Sequence, residues 1–353
     1  MQPDRAATHS NSDNVSVVKS SPASTDNGQW CCDSCQGKQF TKLFDVPGFD
    51  DIKEKFTLVR CDQCALVSVH PLLSEQELGP YYSVQYYGSA DQKFTGPVER
   101  WTRFTHERLA KRILSFLRRN PRGGDASRPP KVLDIGCGRA SLLSALAQLG
   151  CDCTGLERED FPEHKDKDNV KILYGDISHK ELVADSFDAI VIWHVLEHLG
   201  SPHETVRMAR RLLKPNGLLL IGVPNFGGFQ ARLFKQHWWH LDLPRHLYHF
   251  TAQSLGTLLS KEGFQIRKKD TFTIDQSFFG FLQSALNRMF PAQANSLYGN
   301  LKPDGSGGGL LLPQLLLAGG LLPVAAVEYV LSGVVGQGSC LIYYATAVER
   351  DNK

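Results

Sequence analysis

Two pairs of cysteines near the start of the chain have the spacing of metal-binding knuckles. Two residues separate Cys32 from Cys35, and two separate Cys61 from Cys64. Four thiolates in two such pairs match the tetrahedral coordination that Zn²⁺ prefers, so we predict a structural zinc ribbon. An iron–sulfur centre is the alternative. Cys31 is a spare thiol that could replace Cys32 only with a less usual spacing.

A glycine-rich turn after a short apolar run has the features of a nucleotide-binding loop. The run contains Asp134, and Gly136, Cys137 and Gly138 follow it. Glycines let the backbone turn tightly and approach a ligand closely, and the amides of the predicted next helix point at the same place. The next apolar run ends at Glu157, whose carboxylate can accept both hydroxyls of a ribose.

Two further predicted strands end in residues that suit the same ligand. Asp176 and Ile177 follow the third strand and could flank an adenine. Trp193 ends the fourth strand, and His194 comes next. Ligands of open α/β sheets bind outside the carboxyl ends of the strands, so we predict that these side chains border one pocket.

Residues 131–225 resemble the class I S-adenosylmethionine-dependent methyltransferases. The resemblance rests on the motifs VLDIGCGRA, GLERED and GDI and on the run SFDAIVIWHVLEHLGSPHETVRMARRLLKPNGLLLIGVPN. The last run is similar to the small-molecule branch that includes ubiquinone-pathway and sugar methyltransferases. Ala140 departs from the pattern, because the family often has a third glycine there.

The resemblance implies S-adenosylmethionine as the cofactor and assigns roles to the residues above. Asp134, Gly136 and Gly138 would hold the methionine part, Glu157 the ribose, and Asp176 the adenine amine. The neighbouring side chains complete the predicted cofactor pocket: Cys137, Ile177 and Trp193.

The run from Arg60 to Tyr87 resembles the zinc-ribbon leader of many bacterial methyltransferases. In that group a tyrosine-rich segment packs over the cofactor site. The resemblance therefore implies that Tyr82, Tyr86 and Tyr87 belong to a lid over the cofactor, and ordinary aromatic packing is the alternative.

His194, Glu197 and His198 match the H-x-x-E-H pattern of inverted zinc peptidases. Their place after the fourth strand of a nucleotide-binding sheet argues against a peptidase. Some ubiquinone-pathway O-methyltransferases have E-x-x-E-H here and bind a divalent metal, but His194 replaces the first glutamate, so we do not expect a metal. We predict that His194 is a general base, because the pKa of imidazole suits proton transfer near neutrality. The alternative is that it only closes the cofactor pocket.

A segment after the fifth predicted strand is rich in histidine and tryptophan, which is unusual for packing alone. Loops on a rigid scaffold tend to carry specificity. The resembling family has a similar D-x-P-R-H-x-x-x-F-T run near the substrate. We therefore predict His240, Arg245 and His246 as substrate-side groups, with the two histidines as catalytic candidates beside His194. A hydrogen-bonded structural loop is the alternative.

These residues need elements that position them. Short apolar runs alternate with helical segments, which predicts a parallel sheet with helices on both faces. The resemblance implies an α/β, Rossmann-like, seven-stranded sheet with its last strand antiparallel, and Phe264–Asp270 and 339–348 fit strands six and seven. We predict a disordered tail at 1–28, a zinc ribbon at 29–73, a helical connector or lid with a linker at 74–130 and the methyltransferase domain at 131–353.

Residues 309–335 are almost entirely apolar and lie in a predicted insertion at 274–338, between strands six and seven. The length fits a membrane span, but two prolines, a glycine pair and Glu328 interrupt it. We predict that this segment forms two short apolar helices. They would lie on a membrane surface or cover an apolar substrate. A buried helix pair is the alternative.

Composition and charge restrict the remaining functions. The 39 basic and 37 acidic residues nearly cancel, so nucleic acid is not an expected partner. Residues 1–28 lack the apolar run of a signal peptide, which favours the cytoplasm, with peripheral membrane contact through 309–335. We predict O- or C-methylation of a small-molecule acceptor: a sugar, a quinone or phenol precursor, or a lipid-linked metabolite. The alternatives are an RNA methyltransferase that uses the ribbon and a basic helix, and a non-catalytic cofactor-binding partner protein.

Overall fold

The computed structural model describes residues 31–50, 53–82, 96–120, 128–159, 161, 170–302 and 311–348. Its strands are β1 (Phe40–Pro47), β2 (Lys55–Cys61), β3 (Val67–His70), β4 (Lys131–Ile135), β5 (Asp152–Glu157), β6 (Val170–Tyr174), β7 (Phe187–Trp193), β8 (Leu213–Pro224), β9 (Tyr248–His249), β10 (Phe264–Asp270) and β11 (Cys340–Ala347). Its α-helices are α1 (Glu75–Leu78), α2 (Gly96–Arg119), α3 (Ser141–Gln148), α4 (Pro202–Leu212), α5 (Phe229–Phe234), α6 (Ala252–Lys261), α7 (Ile274–Met289), α8 (Ser296–Asn300) and α9 (Leu311–Val334).

The central sheet has seven strands in the order β10-β11-β8-β7-β4-β5-β6. Strands β4 to β8 pair in parallel, and β11 runs antiparallel to both of its neighbours. The structure thereby confirms the predicted Rossmann-like sheet with an antiparallel last strand. All the parallel strands end at one edge, which is where the predicted site residues occur.

Helices cover both faces of this sheet, and each face has its own core. Val132 packs with α2 and α3, whereas Leu133 packs with α4 and α6 on the opposite face. The split follows from the strand itself, because successive side chains of a strand point to opposite faces. A strand that is covered on both faces needs apolar side chains at nearly every position, which is why the sequences of these strands are continuous apolar runs.

A second, four-stranded antiparallel sheet has the order β1-β2-β3-β9. Strand β9 comes from the histidine-rich segment after β8, and it pairs through Val67 with His249 and through Ser68 with Tyr248. The cysteine module and the predicted acceptor loop therefore share one sheet.

The insertion between β10 and β11 contains α7, α8 and α9. The prediction of two short apolar helices was wrong: the structure has one helix of 24 residues, with Pro323 inside it. Pro313 lies near the start of the described helix, where a missing amide costs little. The alternative of a buried helix pair fails too, because several leucines and valines of α9 are exposed.

Candidate functional site

The turn after β4 has the backbone that a close-approaching ligand requires. Gly136 and Gly138 have φ angles of +70° and +51°. A Cβ on Gly136 would lie 2.4 Å from Cγ2 of Val195, so no larger residue fits there. Ala140 also has a left-handed φ, of +56°, which costs an alanine about 1 kcal/mol. Ala140, which stands where the family often has a third glycine, therefore adopts the left-handed conformation that suits glycine, and its backbone is strained.

Glu157 ties the ends of β4 and β5 together. Its Oε2 accepts a hydrogen bond of 2.7 Å from the backbone N–H of Gly138, and its Oε1 accepts one of 2.9 Å from that of Arg158. The carboxylate thus lies beside the glycine turn, at the position where the sequence predicts a ribose.

Asp134 is buried near the same turn, with 4% of its surface exposed. Burial, and then the charge of nearby Glu157, raise the pKa of Asp134 well above its usual range. A bound cation would relieve this cost, because an opposite charge favours the ionised carboxylate. The site therefore fits the positively charged methionine part of S-adenosylmethionine.

The remaining predicted cofactor residues lie at the ends of neighbouring strands. Asp176 is exposed beyond β6, where its Oδ1 accepts a hydrogen bond of 2.7 Å from the N–H of Ser178. Ile177 is half-buried against the core. Trp193 ends β7 and covers Gly222, where a Cβ would lie 2.4 Å from its ring.

Tyr82 connects the segment after α1 to this edge of the sheet. Its hydroxyl lies 3.2 Å from Nδ1 of His198 and donates to the carbonyl oxygen of Arg245 at 3.4 Å. The guanidinium of Arg158 stacks on its ring, 4.7 Å from the centroid. Tyr82 therefore bridges the Glu157 turn and the histidines, as a lid residue would. Tyr86 and Tyr87 lie outside the described residues.

His194 follows β7 in a left-handed conformation, with a φ of +54°. Its Nδ1 lies 3.4 Å from Oε1 of the buried Glu197. Burial alone would lower the pKa of His194, but its neighbours Cys340 and Glu197 raise it to about 10. The imidazole is then protonated at neutral pH, so this arrangement favours a hydrogen-bond donor over the predicted general base.

His240 and His246 both lie in the protein interior. Burial, and then the charges of His194 and His246, lower the pKa of His240 to about 3, so this imidazole is neutral. Nδ1 of His246 lies 2.8 Å from the carbonyl oxygen of His240. The two predicted acceptor-side histidines are therefore linked to each other and lie close to His194.

Arg245 is also buried, but its donors are used within the protein. The guanidinium donates to Asp50 and Asp242, and it stacks on Phe49 at 4.8 Å. These contacts make it a structural anchor of the loop, which is the alternative that the sequence left open.

Glu197, His198 and His246 bring three potential ligand atoms within 4.8 Å of one another. The set could hold a cation, although the sequence led us to expect none here. Glu197 and His198 belong to the H-x-x-E-H motif, but His246 comes from the loop after β8. No local sequence signal joins it to them.

The four predicted zinc ligands form a compact cluster. All four sulfur atoms of Cys32, Cys35, Cys61 and Cys64 lie within 4.8 Å of one another, and the side chains are buried. Tetrahedral Zn–S bonds of about 2.3 Å would need sulfur separations of this size. The cluster therefore fits a zinc ion. Cys31 points away from it and donates to Gln36.

The cysteine module is fixed to the central domain by Asp33, which lies between two of the cysteines. Its carboxylate accepts hydrogen bonds of 2.8 Å from Oγ of Ser201 and from the backbone N–H of His203. Both donors lie at the start of α4, whose free amides favour a negative charge. Ser201 is the N-cap residue of α4, so the module holds the start of this helix.

Comparison with known proteins connects this site to a family. Residues 101–269 match the family model described as a methyltransferase domain. Over 107 residues the chain is 33% identical to a ubiquinone biosynthesis O-methyltransferase of Glaesserella parasuis, covering 27% of this chain and 45% of that protein. The ubiquinone biosynthesis O-methyltransferase of Pseudomonas aeruginosa is 32% identical to the chain over 103 residues, and this match covers 27% of this chain and 44% of that protein.

The chain spans less than half the length of these curated relatives. Among solved structures, a SAM-dependent methyltransferase from Archaeoglobus fulgidus is 18% identical with a TM-score of 0.42, covering 68% of this chain and 94% of that chain. The family match begins within α2 and includes most of that helix, which precedes the predicted domain start at 131.

Proposed function

We propose that this chain, which carries a class I S-adenosylmethionine-dependent methyltransferase domain, transfers the methyl group of S-adenosylmethionine to a small-molecule acceptor. One observation carries the proposal: a buried Asp134, a left-handed Gly138 and Glu157 meet at the carboxyl edge of the sheet. The matches to ubiquinone biosynthesis O-methyltransferases support a hydroxyl oxygen as the acceptor atom.

The cofactor supplies an already activated sulfonium methyl group, so the protein contributes mainly by placing the acceptor in line with it. Asp134 would balance the positive charge, Glu157 would accept from the ribose hydroxyls and Asp176 from the adenine amine. Cys137, Ile177 and Trp193 would enclose the cofactor, and Tyr82 would cover it.

The acceptor would enter between the end of β7 and the histidine loop. His194, held protonated beside Glu197 and Cys340, would donate a hydrogen bond to the acceptor oxygen. His240 is neutral, and its pKa of about 3 is too low for it to hold the proton that the hydroxyl loses, so it would contact the acceptor while that proton passes to water. His246 would position both His240 and Glu197.

Two measurements test the proposal. Calorimetric titration with S-adenosylmethionine should show one site per chain, and Gly136→Val should abolish it, because Val195 occupies the space. Incubation with methyl-labelled cofactor and a phenol-containing metabolite extract should label a small molecule. Absence of cofactor binding by a folded protein would contradict the proposal.

We further propose that a structural Zn²⁺ occupies the four-cysteine cluster. The burial of four converging thiols supports this assignment, because thiols packed this closely in a folded module are typical of a metal site. The ion would stabilise the small sheet and, through β9, the histidine loop.

We also propose that α9 places its apolar face in the surface of a lipid bilayer. Among the described helices, α9 alone is long and apolar enough to cross a membrane, by length and composition. Its exposed side is built of leucine and valine, including Leu312 at 68%, Leu316 at 69% and Leu331 at 62% exposure. The neighbouring α7 ends in exposed Arg288, whose charge suits anionic headgroups.

Vesicle flotation tests this contact. The wild-type chain should float with phosphatidylglycerol vesicles, and a triple change of Leu312, Leu316 and Leu331 to Gln should reduce the floating fraction at least fivefold. Val183→Gln is the matched control, because Val183 is equally exposed, at 63%, but lies between β6 and β7. Equal flotation of the triple variant would overturn the membrane proposal.

A further inference from the structure

The loop between β7 and α4 carries three side chains of the proposed acceptor site. It covers residues 194–201 and contains His194, Glu197 and His198. The central sheet fixes its first end, because the backbone N–H of His194 donates to the carbonyl oxygen of Gly222 at 2.8 Å. The placement of Glu197 and His198 therefore depends on what holds the other end of the loop.

Two elements outside the central sheet hold this second end. The carboxylate of Asp33 accepts hydrogen bonds of 2.8 Å from Oγ of Ser201 and from the backbone N–H of His203. The hydroxyl of Tyr248, in β9, donates to the carbonyl oxygen of Gly200 at 3.1 Å. A Cβ at Gly200 would meet no atom of the described residues within 4 Å. Hydrogen bonds, and not side-chain packing at Gly200, therefore anchor the loop here.

Asp33 is the stronger of these two anchors. It is 8% exposed, and hydrogen bonds to a charged acceptor are roughly twice as strong as those between neutral groups. It lies between Cys32 and Cys35, and both cysteines share one hydrophobic core with Leu196 of the loop. The first cysteine turn thus contacts the loop through packing as well as through hydrogen bonds.

The second cysteine turn offers an internal comparison. Both turns have the pattern Cys-Asp-x-Cys, and Asp62 has the place in the second turn that Asp33 has in the first. Asp62 is exposed, and its Oδ1 accepts a hydrogen bond of 2.7 Å from Oγ1 of Thr41, within the cysteine module. The turn itself therefore does not require its aspartate to contact the central domain, as Asp33 does.

We propose that Asp33 is a positioning residue of the acceptor site. It holds the loop 194–201 so that the carboxylate of Glu197 and the imidazoles of His198 and His246 come within 4.8 Å of one another. This inference rests on the proposed methyltransferase function, and it gives the cysteine module a part in that reaction. A preorganised site loses much of its rate when a distant change displaces its groups by about 1 Å. The anchor therefore contributes to the placement of the acceptor as well as to stability.

Amide hydrogen exchange and NMR of the full chain test the proposal without any acceptor. In Asp33→Asn the backbone N–H of His198, which donates to Val195 inside the loop, should exchange about tenfold faster, because the charged anchor is gone. The ring resonances of His198 should shift as well, since Nδ1 lies 3.1 Å from the carbonyl oxygen of Arg245 on the histidine loop. Asp62→Asn is the matched control and should leave both readouts unchanged.

The site of the change distinguishes positioning from helix capping. Faster exchange that is confined to 201–203, with the amide and ring of His198 as in the wild type, would overturn the proposal, because Asp33 would then hold only the start of α4.

Tyr248→Phe is a second variant that leaves the cysteine turns intact. It removes the hydrogen bond to Gly200 and should speed exchange at His198 by about fivefold, which is the value of one neutral hydrogen bond. If mass spectrometry finds less metal in Asp33→Asn than in the wild type, Tyr248→Phe decides, and wild-type exchange at His198 would refute the role of this anchor.

Binding of S-adenosylhomocysteine is measured separately by calorimetry. Both variants should bind it as the wild type does, because Asp134 and Glu157 lie outside the loop. Failure of the wild type to bind it would contradict the proposed function, while the exchange results would still report on the loop.

Discussion

Nδ1 of His194 lies 3.4 Å from Oε1 of Glu197, and this pair stands between the cofactor turn and the histidine loop. Only 1% of the Glu197 side chain is exposed, so its charge has little access to water. The two groups stabilise each other's charged forms, because contact with His194 lowers the pKa of Glu197 to about 2 despite its burial. This buried pair therefore keeps Glu197 ionised and His194 protonated at neutral pH.

Glu197→Gln should release His194 from this state. Without the carboxylate, burial is opposed by Cys340 alone, so the pKa of His194 should fall below its wild-type value of about 10, as a histidine NMR titration would show. Breaking a buried pair costs about 3–5 kcal/mol, so urea unfolding should detect the loss as well. Glu204→Gln is the control, because Glu204 pairs with Arg207 at the surface and should cost less than about 1 kcal/mol.

The pH dependence of the wild type follows from the same shifts. The lowered pKa of Glu197 gives stability that is present above 4.5 and lost as pH falls toward about 2. The raised pKa of His194 gives stability that is present below 6.5 and lost as pH rises toward about 10. The ion pair should therefore stabilise the fold most between pH 4.5 and pH 6.5. The free energy of unfolding of Glu197→Gln should vary less with pH than that of the wild type.

Asp134→Asn should make the protein more stable and less active. The pKa of Asp134 is raised in the folded state, so stability falls as pH rises from the ordinary aspartate value toward the raised one. The asparagine variant lacks this loss, and its melting temperature at pH 7 should exceed that of the wild type. Its cofactor affinity should fall at least tenfold, because the carboxylate that would balance the positive charge of the cofactor is gone. A variant with unchanged affinity would remove Asp134 from the cofactor site.

Cys61→Ser should remove the bound metal and destabilise the module. Mass spectrometry of the native protein should find one zinc per wild-type chain and none in the variant, and chelation should reproduce the effect. Cys31→Ser is the matched control, since this neighbouring thiol bonds to Gln36 and lies outside the cluster. Loss of zinc from Cys31→Ser would show that the ligand set is wrong.

Tyr82→Phe should weaken cofactor and acceptor binding by about two- to tenfold, which is the value of one neutral hydrogen bond. The phenylalanine keeps the stack on Arg158 but loses the contacts of the hydroxyl with His198 and Arg245. Steady-state kinetics would measure the change as a rise in KM. Tyr81→Phe serves as the control, because its hydroxyl bonds to the exposed Glu54.

Much of the cofactor side could be predicted from sequence. Parallel strands bring their carboxyl ends to one edge, so Asp134, Glu157 and Asp176 had to lie near one another once the strands were identified. The cysteine cluster was equally predictable, because two short turns fix four ligands locally. The first prediction depends on the pairing of neighbouring strands, and the second depends on two short turns.

The histidine loop and helix α9 depend on long-range packing, which local patterns do not encode. Nothing near His246 indicates its approach to Glu197, and nothing near Gln230 indicates Glu328, which is almost one hundred positions away. The single helix α9 was missed because prolines and glycines in its sequence suggested a break. Its exposed apolar side shows that composition alone could not assign which face is inside.

The pairing of β3 with β9 means that the boundaries of the family match do not define a unit that folds alone. A fragment cut to residues 101–269 would leave Tyr248 and His249 without their partner strand, and it would remove β11 from between β8 and β10. Unpaired edges of this kind invite aggregation. Expression trials should therefore keep the cysteine module and the last strand together, and domain exchange with other methyltransferases should carry β1 to β3 along with the histidine loop.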